Sequence, residues 1–191
     1  MDIKNYIEQS IKTKQLVLNN DEIIKQIDNI ANVIVNAYKN GNKVMTAGNG
    51  GSAGDAQHIA GELVSKFNFD RPPLAALELN TNSPLLTAIS NDYGYNKSFA
   101  RQIKANGKAG DVFIAISTSG HSENIIEAVE EANNMGIITV GLVGSKMCPL
   151  DKTCQYVIKV PSEYTPNIQE TQIMIGHIIC GLVEERIFTS R

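Results

Sequence analysis

Two short loops and two helical stretches hold most of the residues in this chain that could do chemistry. The first loop, Gly48-Asn49-Gly50-Gly51-Ser52-Ala53-Gly54-Asp55, follows an apolar run and opens into a helical pattern. Its glycines let the backbone approach a ligand closely, and the following helix presents free N–H groups. The second, Ser117-Thr118-Ser119-Gly120-His121-Ser122, follows the apolar run DVFIAI. Hydroxyls beside a helix N-terminus can cradle an anion without Lys or Arg. Either loop alone is equally well a turn that needs flexible residues and a cap; two at equivalent strand ends favour a phosphate site. Neither ends in the Gly-Lys-Ser/Thr of phosphate-binding NTPases. Beyond the first loop, His58 and Glu62 share a helical face at i,i+4. That spacing suits a metal, a base with its partner, or simply a solvated helix. A last helical stretch carries Gln169, Glu170 and His177, with His177 amid Ile173, Ile175, Ile178 and Ile179. A lone His in such a setting is more often a hydrogen-bonded core residue than a catalyst.

Positioning these groups takes strands that alternate with helices. Lys43–Ala47, Leu74–Leu79, Asp111–Ser117, Ile137–Val143 and Tyr156–Val160 read as about five short apolar strands. Helical patterns separate them: one through about Phe67, others near Pro84–Ser90, Lys97–Asn106 and Ser122–Met135, and a long one over Ile168–Ile187. The alternation predicts an α/β fold, a doubly wound parallel sheet covered on both faces, with ligands bound beyond the carboxyl ends of the strands. Two helices precede the first strand. Ile3, Ile7, Ile11 and Leu18 stripe one; Asp21 can cap the other, whose stripe is Ile23, Ile27, Ile30, Ile34 and Tyr38, with Gly41 as its stop. A single domain can bury only part of this surface, so subunit packing is a reasonable use for it. Without repeat or linker, one domain over 1–191 is expected, the hairpin of about 1–41 included.

Composition narrows the partners. The 191 residues carry 17 Lys+Arg against 20 Asp+Glu, a formal net charge of -3, with 42% hydrophobic residues and no Trp. This is an ordinary globular balance rather than a disordered one. With no basic cluster, nucleic acid and anionic membrane are not expected as partners. Three cysteines, Cys148, Cys154 and Cys180, show no metal spacing and suit a reducing cytosol. A polar start and the lack of a long apolar run predict a cytoplasmic protein.

Taken together, GNGGSAGDAQHIAGEL, LLTAISNDYGYNKSFARQI, STSGHSENI and IQETQIMIGH, in this order, resemble the phosphoheptose isomerases of the sugar-isomerase (SIS) family. The similarity runs through nearly the whole chain, the two leading helices included. It implies a flavodoxin-like sheet and an aldose–ketose isomerase. The substrate it implies is sedoheptulose 7-phosphate, converted to D-glycero-D-manno-heptose 7-phosphate. That step leads toward ADP- or GDP-heptose for surface glycans such as lipopolysaccharide or capsule. It also implies homotetramers with active sites at subunit interfaces, and one zinc per subunit. By motif, the family's zinc ligands correspond to His58, Glu62, Gln169 and His177, and its catalytic pair to Glu62 and His177. Its substrate contacts correspond to Asn49, Gly50, Gly51 and Ser52, to Asn91 and Asp92, and to Ser117, Thr118, Ser119 and Ser122. Glu62 and Gln169 join that substrate set, and Asp55 falls where the family points a carboxylate into the site. Three positions depart from the pattern. Gly61 interrupts the helix between His58 and Glu62, at roughly 1 kcal/mol against Ala. His121 replaces a frequent Asn, and Gln172 stands where many members have His.

The chemistry fits these residues without the name. Moving a carbonyl between C1 and C2 removes a carbon-bound proton beside it and passes through an enediolate. Glu62 is the expected base, and His177, with zinc, the expected partner of the oxyanion. A Glu62 bound to zinc is a weaker base, so the two roles compete. Gln169 and His177 lie about 12 Å apart along a straight helix, so reaching one ion requires both to lean inward or one to come from a neighbouring subunit, and the strained spacing favours sharing across chains. His177 is then expected to meet Glu62 only in the assembled oligomer. The main rival is a non-catalytic SIS adaptor that binds a replication initiator; such a protein has no chemical reason to keep Glu62, His177, His58 and Gln169 together. A sugar-phosphate sensor usually adds a DNA-binding domain, for which the chain has no room. A nucleotide-binding doubly wound domain is weakened because the first loop lacks G-x-G-x-x-G spacing.

Overall fold

Short runs of Val, Ile, Ala and Phe build a five-stranded sheet. A computed structural model describes residues 2–189 of the chain; Met1, Ser190 and Arg191, the ends of the expected 1–191 domain, lie outside the described residues. The strands are β1 (Val44–Gly48), β2 (Ala76–Glu78), β3 (Val112–Ile116), β4 (Ile138–Val143) and β5 (Tyr156–Lys159). All pair in parallel, in the order β2-β1-β3-β4-β5. Every residue of β1 and β3 is buried, whereas the edge strands β2 and β5 are largely half-buried. Continuous apolar runs in the middle of the sheet are what helices on both faces demand.

The helices are α1 (Ile3–Leu18), α2 (Asp21–Lys39), α3 (Gly51–Val64), α4 (Ser83–Tyr93), α5 (Ala100–Asn106), α6 (Glu123–Asn134), α7 (Leu150–Thr153) and α8 (Thr165–Phe188). One core joins α2, α3 and α8 to Val44, Ile114 and Leu142 on one sheet face. The other joins α5 and α6 to Met45, Phe113 and Ala115 on the opposite face. α1 lies outside these layers, against α2 and α8. Among the described residues, no helix is long and apolar enough to cross a membrane.

Several boundaries differ from the sequence pattern for local reasons. Asn20, not Asp21, caps α2: its Oδ1 accepts from the N–H groups of Glu22 and Ile23, both at 3.1 Å. Asp21 sits in the first turn, where its charge suits the helix dipole. The stretch expected as one helix over Lys97–Asn106 is a 3-10 turn at Tyr95–Lys97 followed by α5. The four-residue α7 carries too little periodicity to be read. α3 stops at Val64 rather than near Phe67, because the Phe67 N–H is taken by Glu184 at 2.7 Å. The α2 stripe is buried except for Tyr38, whose hydroxyl reaches Ala75 O. The α1 stripe is not buried: Ile3, Ile7, Ile11 and Leu18 are exposed, and only Thr13 and Val17 face inward.

Candidate functional site

The strand order reverses between β1 and β3. β1 leads into α3 on one face and β3 into α6 on the other, so their exit loops diverge and open a crevice, the position where such sheets bind ligands. The glycine loop and the serine loop are these two exits. Gly50 turns the chain with φ +56 before α3, a conformation side chains resist. Ser52 is buried behind it, its N–H bonded to Asn49 O. Across the crevice, Asn49 and Asn124 exchange both amide hydrogen bonds at 2.9 Å, and the Tyr95 hydroxyl donates to Asn49 Oδ1 at 2.7 Å. Tyr95 and Asn124 escaped the sequence reading. The signal was a buried-type Asn two residues into a helix start, and an aromatic beside the Gly94 turn.

The serine loop does not present its hydroxyls to one opening. Ser117 is buried, and its Oγ accepts from Gly120 N at 3.1 Å and lies 3.2 Å from Ser122 Oγ. Thr118 and Ser119 line a 240 Å³ cleft with His121, Ser145 and Lys146. Ser122, which makes no cap hydrogen bond at the start of α6, faces a second opening of 500 Å³ with Asn49, Tyr95 and Asn124. Folding also brings in a cation that sequence neighbours did not supply: Lys146, 3.4 Å from Glu163. Ser119→Ala combined with Ser122→Ala should weaken sugar-phosphate binding by about tenfold or more, since each hydroxyl can donate to a charged oxygen. Thermal stability should hardly move, because neither side chain supports the core. Unchanged affinity by calorimetry would reduce the loop to a structural turn.

Two turns along α3, three side chains converge. His58 Nε2 lies 3.1 Å from Glu62 Oε1 and 3.1 Å from His177 Nε2. The ligand atoms of His58, Glu62 and His177 all fall within 4.8 Å of one another. They meet within one chain, which corrects the expectation that His177 reaches Glu62 only across subunits. The cause is the packing of α3 against α8: Gly176 lets α8 approach so closely that a Cβ there would sit 2.8 Å from Ile59 Cδ1. His177, immediately after Gly176, is therefore delivered to His58 and is not a core residue.

Gln169 is placed elsewhere. Its amide packs so tightly on Gly51 that a Cβ at that position has no room. Among the described residues it makes no hydrogen bond to the cluster. Asn91 and Asp92 are exposed on the last turn of α4, Asn91 Nδ2 donating to Asp92 Oδ1 at 2.9 Å, without a hydrogen bond to either loop among the described residues. Asp55 is half-buried one turn before His58; burial pushes its carboxyl up to about 6, against the pull of His58. Its Oδ2 is buried without a hydrogen-bond partner among the described residues. Of the departures, Gln172 is fully buried and donates to Leu142 O at 2.8 Å, so it supports β4 rather than chemistry. Gly61 is exposed on α3, and a methyl added there would meet nothing within 4 Å.

Comparison with known proteins finds similarity along nearly the whole chain. The SIS domain model matches residues 5–144. The chain is 54% identical over 189 residues to a phosphoheptose isomerase of Aneurinibacillus thermoaerophilus, covering 99% of this chain and 96% of that one. It is 53% identical over 186 residues to phosphoheptose isomerase 2 of Campylobacter jejuni, covering 97% and 92%. The fold superposes on the structure of a phosphoheptose isomerase from Francisella tularensis with TM-score 0.92 at 35% identity, over 96% of both chains.

Proposed function

The chain belongs to the SIS domain family, and we propose that it interconverts sedoheptulose 7-phosphate and D-glycero-D-manno-heptose 7-phosphate as an aldose–ketose isomerase. The observation that carries this is the convergence of His58, Glu62 and His177 beside the crevice, in a chain similar along its whole length to phosphoheptose isomerases. The adaptor alternative draws no support from these relatives.

In this proposal the phosphate binds at the Ser117–Ser122 loop beside the N-terminus of α6 and the Ser122 hydroxyl, and Thr118 and Ser119, which line a separate cleft in the free chain, turn toward it to complete the cradle. Asn49, Gly50, Gly51 and Ser52 line the sugar, with Asn91, Asp92 and Gln169, and the half-buried Asp55 carboxyl faces a sugar hydroxyl. Binding at the phosphate supplies remote energy that fixes the reacting carbons. The Glu62 carboxylate takes the carbon-bound proton beside the carbonyl and returns it to the neighbouring carbon. His177 gives a proton to the carbonyl oxygen as the enediolate forms and takes one back from the neighbouring hydroxyl as that carbon becomes the new carbonyl. His58 Nε2 lies 3.1 Å from both groups, so it holds one by a hydrogen bond and the other by packing.

The cluster also fits a metal. Tetrahedral zinc with Zn–N of about 2.0 Å separates its ligand atoms by roughly 3.3 Å; two of the three pairs here lie at 3.1 Å and all three within 4.8 Å. His58, Glu62 and His177 would hold one zinc per subunit; Gln169, the fourth ligand that the family resemblance implies, stands apart from them in one chain and would join only by leaning in or from a neighbouring subunit. Bound there, zinc would polarise the carbonyl oxygen and stabilise its developing negative charge. The protein is proposed to act as one SIS domain over 1–191, in the cytoplasm, as a homotetramer with its sites at subunit interfaces, feeding heptose toward surface glycans. The test is purified protein with sedoheptulose 7-phosphate, following the aldose product with and without a chelator. Formation of the aldose is expected, with a loss of rate on chelation that zinc restores. No aldose from a folded, metal-loaded protein would overturn the proposal.

A further inference from the structure

The segment between α3 and β2 hides an ion pair. Arg71 Nε lies 3.0 Å from Glu184 Oε2, with the two side chains 2% and 0% exposed. The Glu184 carboxylate also accepts from the N–H groups of Phe67 and Asn68 at 2.7 and 2.6 Å. Arg71 continues to the end of α3, donating to Leu63 O at 2.7 Å and to Glu62 O at 2.8 Å. The pair thus ties three pieces together: the last turn of α3, the loop after it, and α8. A buried pair of this kind is weak evidence for stability, because desolvation cancels much of its attraction. What it holds is more telling. One end grips the backbone of Glu62. The other fixes Phe67, whose ring lies 5.7 Å from the His177 ring at 34°.

We propose that Arg71 and Glu184 form a latch that sets the His177 imidazole, through Phe67, at the angle where its Nε2 meets His58. Arg71, Glu184 and Phe67 are then positioning residues for the Glu62/His177 pair. The terminal torsion of His is broad and roughly two-fold, so a partly exposed ring needs a wall on each side to stay put. His58 is one wall, 4.8 Å away and edge-on; Phe67 is the other. The consequence for turnover rests on the isomerase proposal, whereas the placement of the ring does not.

The test separates the two. Phe67→Leu leaves the ion pair and the Phe67 backbone bond intact, so it should fold. Misplacement of a reacting group by about 1 Å can cost up to 100-fold. We expect kcat for sedoheptulose 7-phosphate to fall about tenfold, with KM within about twofold, and Phe67→Tyr, which keeps the ring, to restore it. Wild-type kcat in Phe67→Leu, in a protein that His177→Ala inactivates, would overturn the proposal. Glu184→Gln tests the latch itself, with Arg71→Lys in its place if that variant does not fold. The ring-current shift that Phe67 imposes on the His177 proton resonances, defined by comparison with Phe67→Leu, should shrink in the folded latch variant. If it persists at wild-type size, the latch does not position His177. Should His177→Ala turn over normally, the catalytic assignment of His177 fails, and the resonance measurement alone decides the latch.

Discussion

Glu62→Gln is expected to stop turnover while leaving the fold and sugar-phosphate binding in place. Gln has the size of Glu and can keep the 3.1 Å contact with His58, but its amide cannot accept a proton from carbon. A positioned base contributes about 10² to 10⁴ in rate, so kcat should drop by roughly 10³-fold, or about 4 kcal/mol of barrier. Stability should change little. The Glu62 and His58 side chains are 25% and 47% exposed, and pairs with such access to water contribute under about 1 kcal/mol. A second readout isolates the chemistry: in D2O the wild type should exchange the carbon-bound hydrogen beside the carbonyl, and the variant should not. Metal content then separates the two roles of Glu62. A variant that keeps its zinc and loses exchange has lost a base. Near-normal kcat would remove Glu62 from that role altogether.

The sequence disclosed the parts of this site whose signal is local. Five strands fall within a residue or two of their expected bounds, because each is a short apolar run closed by turn residues. The placement of the glycine and serine loops at the ends of β1 and β3 was legible for the same reason. What sequence could not show is how elements distant along the chain meet. The parallel packing of α3 on α8 puts His177 beside His58, 119 residues away, and the glycine that permits it, Gly176, looks like any helical glycine. The same holds for Asn124, whose bond to Asn49 spans 75 residues, and for Glu184, which reads as one more charge near a helix end. The divided serine loop was equally hidden: adjacent hydroxyls in sequence point to separate openings once Ser117 turns inward.

Ile7→Asp combined with Ile11→Asp is expected to yield a folded but smaller and inactive protein. α1 packs through Thr13 and Val17 and is tied to α8 by Lys14 Nζ to Glu170 Oε1 at 3.0 Å. Its apolar stripe takes no part in that packing: Ile3, Ile7, Ile11 and Leu18 are 70%, 52%, 50% and 71% exposed. Solvated faces of a helix are usually polar, so a stripe of this kind is the surface that the proposed tetramer would cover. Burying each isoleucine fully is worth about 1.5–3 kcal/mol. Ile7 and Ile11 are already about half covered in the free chain, so replacing both removes roughly 1.5–3 kcal/mol per subunit, a 10- to 100-fold weaker association, before the cost of burying aspartates. The chain itself should stay folded, since neither residue touches its core. Light scattering should report about four subunits for the native protein and fewer for the variant. Activity should fall with assembly, because Asn91, Asp92 and Gln169 do not join the His58–Glu62–His177 cluster within one chain, and a neighbouring subunit is the proposed source of the missing contacts. A variant that is monomeric and fully active would show that one chain carries a complete site.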